Sequence, residues 1–243
     1  MFPLSHIYVS TKVAEKESDL LVLGSVIPDL AWFSESLRNV LHNTPSEFWD
    51  FVKDKYPDSL DLALGVKLHS QINKGADYYS DDDETGYAKV NGRKIVKIVT
   101  KALEIEEGQQ ALVLSHNFIE AAIDLLLAES VPSLPKVYRR AIDSEANHQA
   151  AIVVSAFLDK EVALVDAEMK KLFDFLSPEN ISFLMGVCSN AVAPFLERTL
   201  GKKLNLKQIL NVLKKSKELI NDSYLSFLNE TVKKMKIDFQ DYI

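Results

Sequence analysis

Five histidines are spread along the 243 residues, and four of them, His6, His42, His69 and His116, fall in the first half. Imidazoles are costly to bury without partners, so four on apolar segments point to a shared use. Carboxylates recur at helical spacing beside them. In SHNFIEAAID, His116 and Glu120 are four apart and Asp124 extends the same face by a turn. In LHSQINKGAD, His69, Asn73 and Asp77 repeat every four residues, so a continuous helix would align them. In GSVIPDL, proline fixes the turn that carries Asp29. Imidazole and carboxylate side chains arranged this way can grip a divalent cation and leave positions for water and substrate. The predicted metal ligands are therefore His6, Asp29, His42, His69, Asp77, His116 and Glu120. A cation there would act as a Lewis acid and make hydroxide available near neutral pH. Asp29, Asp77 and Glu120 are the acids expected to share catalysis, any unligated one acting as base. Lys67, Lys74 and Arg38 are the cations that could orient an anionic group beside such a centre. His148 lies apart from this set and reads as a surface residue.

The elements that must position these residues are helical. Glycine and proline number eight each, and apolar residues recur at helical spacing almost throughout. Ser18 or Asp19 can cap a helix that stops at Pro28, and Thr44-Pro45-Ser46-Glu47 is a capping box. A helix is expected from about residue 59 through His69 to Asn73, then a polar loop over 80–93 in which Asn91-Gly92 could close a short hairpin. Helices follow near 93–105 and 109–129. Pro132 and Pro135 break the pattern, and beyond them helices are expected near 137–158, 160–176 and 178–199. Residues 204–239 read as an amphipathic helix or helix pair, able to pack on the rest or to form a homodimer contact. The expected fold is an all-α multi-helix bundle: a metal-binding core over 1–131, with C-terminal helices over 132–243 packed on it or continuous with it.

The formal net charge of −7 argues against broad binding to nucleic acid or anionic lipid, which depends on Lys and Arg. A small phosphate ester remains compatible, because bound cations supply the missing positive charge. The single cysteine, Cys188, sits in an apolar stretch and reads as a buried hydrophobe in a reducing compartment. The N-terminal residues lack a signal-peptide pattern and the uninterrupted apolar runs are short, so a cytoplasmic protein without a membrane span is expected.

An N-terminal histidine, a Gly-Ser-x-x-Pro-Asp turn at Gly24 to Asp29, a further histidine at 42, and later helices bearing His69 and His116 resemble the zinc-dependent phospholipase C and single-strand nuclease superfamily. The resemblance covers about the first 125 residues as short motifs. It implies an all-helical domain in which His6 and Asp29 serve one zinc, with Asp29 bridging to a second. His42 and the helix of His69 would serve the next, and His116 and Glu120 match the closing His-x-x-x-Glu pair. Asn73 stands where that family places aspartate, which implies one or two metals, with manganese or iron as alternatives to zinc.

Acyl carrier protein phosphodiesterases give a second resemblance, through Phe2-Pro3-Leu4-Ser5-His6, then Gly24 to Asp29, then His69 with Asp77. Ser70 and Asn73 replace that family's arginine and aspartate. Both resemblances imply hydrolysis of a phosphoric ester by activated water. The competing readings are a relative that kept the fold without activity and a helical interaction protein. Diiron carboxylate proteins and HD phosphohydrolases fit less well, since Glu-x-x-His occurs once, at Glu145 to His148, where a diiron site needs a pair, and no His-Asp dipeptide occurs.

Overall fold

Helices that are apolar on every side must lie inside a protein, with the remaining helices wrapped around them. In the computed structural model, which describes residues 2–32 and 40–243, three helices have this character. Helix α1 (Pro3–Ala14) buries every residue from Pro3 to Ser10. Two others follow it inward: α5 (Leu60–His69), buried from Leu62 onward, and α8 (Gln109–Ser130), buried from Leu114 to Leu127. The histidines at 6, 69 and 116 ride on these interior helices.

The rest of the fold encloses them. Helix α2 (Asp19–Gly24), capped by the Ser18 hydroxyl accepting from Leu21 N–H at 3.2 Å, packs on α5. That crossing is close because glycine faces backbone from both sides: a Cβ on Gly24 would fall 2.1 Å from the Leu62 carbonyl oxygen, and one on Gly65 2.5 Å from that of Leu21. A 3₁₀ turn (Ile27–Trp32) follows α2. After α3 (Val40–Asn43) and α4 (Pro45–Lys55) come α5, the short α6 (Ala76–Asp81) and α7 (Tyr87–Leu103), which lies along α8. Beyond the turn at Pro132 lie α9 (Leu134–Asp143), α10 (Glu145–Leu158), α11 (Val162–Phe175), α12 (Pro178–Ile181) and α13 (Leu184–Gly186). A π-helical turn (Val187–Val192) leads into α14 (Ala193–Leu200), and α15 (Leu206–Ile220) and α16 (Tyr224–Asp238) close the chain. The fold is all-α: 79% of the chain is helical and the described residues contain no strand.

One apolar core runs through residues on both sides of Pro132. Helix α9 packs on α1 and α2, α15 on α7 and α8, and α16 on α1. The C-terminal stretch is thus a helix pair packed on the core, with Ile209, Leu213, Ile220, Leu228 and Met235 buried.

Several sequence expectations need correction. The helix through His69 does not continue to Asn73. Ser70 turns extended (φ −66°, ψ 138°), and its hydroxyl accepts from Ile72 N–H at 3.2 Å and donates to the His42 carbonyl at 3.1 Å. A serine bonding the local backbone competes with helix continuation. The expected loop over 80–93 shrinks to a turn at 82–86, in which Asp82 accepts from Glu84 and Thr85 N–H at 3.1 and 2.8 Å. Asn91-Gly92 closes no hairpin: both residues lie inside α7, where Asn91 donates to the Tyr87 carbonyl one turn back. Gly92 lets α7 approach α8, since a Cβ there would fall 2.9 Å from His116 N. Extended backbone at Ser144 divides the expected 137–158 helix. Helix α8 is also long and apolar enough to cross a bilayer, a length the short apolar runs did not suggest; 83% of its most apolar 18-residue window is buried inside the protein.

Candidate metal centre

Each site residue is placed by a local feature of its segment. Pro3 opens α1 and His6 follows in its first turn. Pro28 lies in the 3₁₀ turn that carries Asp29. His42 lies in the short α3 just before Pro45 starts α4, and His69 is the last residue of α5. A tight turn, with Gly75 N–H donating to the Ser70 carbonyl at 2.7 Å, reverses the chain so that Asp77 enters in the first turn of α6.

These segments converge. The Asp77 carboxylate is shared: Oδ1 is 3.2 Å from His6 Nε2, and Oδ2 is 3.2 Å from His69 Nε2 and 3.9 Å from His42 Nδ1. Asp29 Oδ1 lies 4.0 Å from Nε2 of both His42 and His69. The His6 and His69 rings stack with centroids 3.7 Å apart, and His42 meets His69 edge-on at 4.7 Å. His69 Nδ1–H donates to the Ser25 carbonyl at 2.8 Å, which fixes the tautomer and turns Nε2 toward the acids. This nitrogen-rich group forms the first pole.

A second pole lies along α6 and α8. His116 Nε2 is 3.7 Å from Glu120 Oε2, and Ser80 donates to Glu120 Oε1 at 3.0 Å. Asp81 completes the group. Ligand atoms of Asp81, His116 and Glu120 all lie within 4.8 Å of one another, as do those of His6, Asp29 and His69, and those of His42, His69 and Asp77. Asp77 and Asp81 are one turn apart on α6, so that helix joins the poles. Among the described residues, three clusters could thus each hold a metal ion.

The donor set fits a cation. Both ring nitrogens of His6, Nε2 of His69, Nδ1 of His116 and Oδ1 of Asp81 are buried without a hydrogen bond, although acids lie within 4 Å of the histidines. Buried polar atoms normally have hydrogen-bond partners, and exceptions cluster at functional sites. Burial and the neighbouring imidazole hold His6 well below the ordinary histidine range, and bring His42 down to about 4. Burial also lowers His116 to about 4, so these rings are neutral donors. Burial opposes charge on His69, but Asp77, Asp29 and the Ser25 carbonyl raise it overall. Burial likewise opposes ionisation of Asp77, but the positive charge around it, that of His69 included, holds it well below the carboxylate range. Asp81 goes the other way: burial and then the Glu120 carboxylate push it up to about 8. Carboxyls crowded to that degree are stabilised by a shared cation.

All seven sequence-predicted ligands join one of these poles, although Asp77 arrives on its own helix and not on that of His69. Asn73 stays outside, with Oδ1 3.4 Å from the Ser46 hydroxyl. Lys67 is buried and committed elsewhere, donating to Ser46 at 3.1 Å under the ring of Tyr242. Lys74 is exposed, and Arg38 lies outside the described residues. Lys89 of α7 is a cation whose field does reach His116. His148 is exposed on α10 and Cys188 is buried. Asp124 supports the site without joining it. Its carboxylate accepts from the backbone N–H of Leu4 and Ser5, both at 2.8 Å, and from the Ser5 hydroxyl at 2.5 Å, tying α1 to α8. Asp81 is the residue that sequence reasoning missed, absorbed into an acidic run read as solvated loop. Its signal was the Asp77–Asp81 spacing of four, the same as that of His116 and Glu120.

No family model matches the chain, and comparisons with curated proteins and with solved structures gave no match.

Proposed function

We propose that the protein is a metal-dependent phosphoric ester hydrolase, built in the manner of the zinc-dependent phospholipase C and single-strand nuclease superfamily. The observation that carries this reading is the pairing of two ligand poles through Asp77 and Asp81 of one short helix. His6, His42 and His69 would hold a zinc-type ion at the first pole, where nitrogen predominates. Asp81, His116 and Glu120 would hold the second, where oxygen ligands admit manganese or iron as well. Cations so held supply Lewis-acid polarisation of a phosphoryl oxygen and lower the pKa of water.

The chain's own residues do the rest. Ser25 and Ser80 orient His69 and Glu120. Asp77 keeps the poles in register. Asp29 reaches both His42 and His69 and also lines the adjoining cleft, where it can take a proton from water on the substrate side. His42, with a side chain 22% exposed, marks an open flank of an otherwise buried centre.

Elemental analysis and an assay on bis-p-nitrophenyl phosphate test this. The parent should carry at least one divalent ion per chain and release nitrophenol. His69→Ala and His116→Ala should each lose metal and drop the rate about 100-fold or more, since even residues that only orient a ligand are worth about 10- to 100-fold. If both variants retain the parent's metal and rate, the proposal is wrong.

A further inference from the structure

A lysine of α7 stands beside the second pole. Gly92 has no side chain, so α7 lies against the backbone of His116. Lys89 stands one turn earlier on α7, at the flank of the same face, and its side chain is 18% exposed. Burial does most to lower the pKa of His116, and the Lys89 charge lowers it further, against the pull of Asp81.

The partner of Lys89 is an exposed carboxylate. Its Nζ lies 3.2 Å from Asp83 Oδ1, and the Asp83 side chain is 84% exposed. The turn that carries Asp83 is shaped by other bonds. Asp82 Oδ1 accepts from Glu84 N–H at 3.1 Å, Thr85 N–H at 2.8 Å and the Thr85 hydroxyl at 2.7 Å. The Arg93 guanidinium donates to the Asp83 backbone carbonyl. Exposed ion pairs contribute little, so Lys89 can exchange Asp83 for another anion at small cost. A point charge on a flexible stem suits such an exchange.

We propose that Lys89 is a substrate-binding residue of the second pole, its ammonium taking a phosphoryl oxygen of the ester, and that the Asp83 carboxylate occupies this ammonium until the ester arrives. The proposal rests on the hydrolase reading for the chemistry of the anion. Carboxylate and phosphoryl oxygens both accept charge-assisted hydrogen bonds from an ammonium, so one can replace the other. Asp83 is then an internal competitor: apparent affinity is reduced to the fraction of chains in which Lys89 is free.

Calorimetric titration of the full, metal-replete chain with inorganic phosphate tests this. Lys89→Met keeps the apolar stem and removes the charge, and should weaken phosphate about 10-fold or more. Asp83→Asn should tighten it, by up to about fivefold. In the Lys89→Met background Asp83→Asn should change nothing, because the competitor has no ammonium to hold. Each variant should keep the parent's metal content. Parent-like affinity in Lys89→Met overturns the proposal, as does a weakening that tracks lost metal. So does an Asp83→Asn that weakens phosphate or leaves it unchanged. Equal tightening in both backgrounds would make Asp83 a general repulsive charge and overturn the exchange, and no measurable phosphate binding by the parent overturns the whole. Lys89→Gln takes the place of Lys89→Met if circular dichroism finds that variant unfolded. Failure of the hydrolase reading registers separately, as absent turnover of bis-p-nitrophenyl phosphate with this pattern of phosphate affinities intact.

Discussion

The two poles are made of different chemistry and assembled differently. The first gathers imidazoles from α1, α3 and α5 around acids from the 3₁₀ turn and α6, so it exists only once five separate segments have packed. The second needs only α6 and α8, and its ligands are two carboxylates and one imidazole. Nitrogen-rich sites favour zinc, while oxygen-rich sites accept a wider range of hard and borderline ions. On the proposed reading, the contrast would make the first pole the specific, fold-dependent one and the second the exchangeable one.

Substituting the two α6 aspartates separates them most sharply. Asp77 touches all three imidazoles of the first pole, so Asp77→Asn should lower metal affinity there by about 100-fold and nearly abolish turnover. Asp81→Asn should release the second metal equivalent, leave the first in place, and cut the rate less, about 10-fold. Metal content after dialysis, read beside the rate, checks both. Equal losses at both poles from either substitution would mean that the poles are one indivisible centre.

Asp124→Asn sharpens the comparison from the structural side, because Asp124 ties the helix of His6 to the helix of His116. Burial pushes its carboxyl up to about 7 against the pull of three donors. An amide in its place accepts on one oxygen only and turns an N–H₂ group toward backbone donors. The expected cost is about 2 kcal/mol, within the range for a buried group left unsatisfied, with metal affinity weakened at both poles together. Urea denaturation of the metal-free chain reads the first effect. A change under about 0.5 kcal/mol would remove the anchoring role.

The contrast also explains what could be read in advance. The second pole is local, so His116 and Glu120 were legible as a helical pair. Ser18 was legible as a cap, whereas the helix expected to run to Pro28 ends at Gly24. His69 and Asp77 were legible as residue types but not in their geometry. Their spacing of eight fits one helix, but the chain leaves that helix at Ser70, whose hydroxyl bonds to Ile72 N–H and to the His42 carbonyl across the fold. Asp81 was hidden by composition, since an acidic run reads as solvated unless tertiary packing buries one member. Gly92 read as a turn residue because its partner, the His116 backbone, is remote in sequence. The cleft that Asp29 lines was invisible for the same reason: its walls come from α8, α11, α14 and the π-helical turn, which has no simple periodic signature.

The smallest effect is expected at Tyr138 on α9. Its ring is fully buried, but its hydroxyl has no hydrogen-bond partner. Burial first, then the nearby carboxylates of Asp29 and Asp124, push its pKa well up, so the phenol is neutral and faces the acids behind both poles. A buried hydroxyl without a partner opposes folding by its lost hydration, whereas the ring fills core volume. Tyr138→Phe keeps the ring and removes the hydroxyl, so stability should be unchanged or higher by up to about 1 kcal/mol, with metal content and turnover as in the parent. A thermal melt and the phosphodiester assay decide the point. A loss of turnover with stability intact would assign the hydroxyl to the orientation of Asp29, and the first pole would then extend to α9.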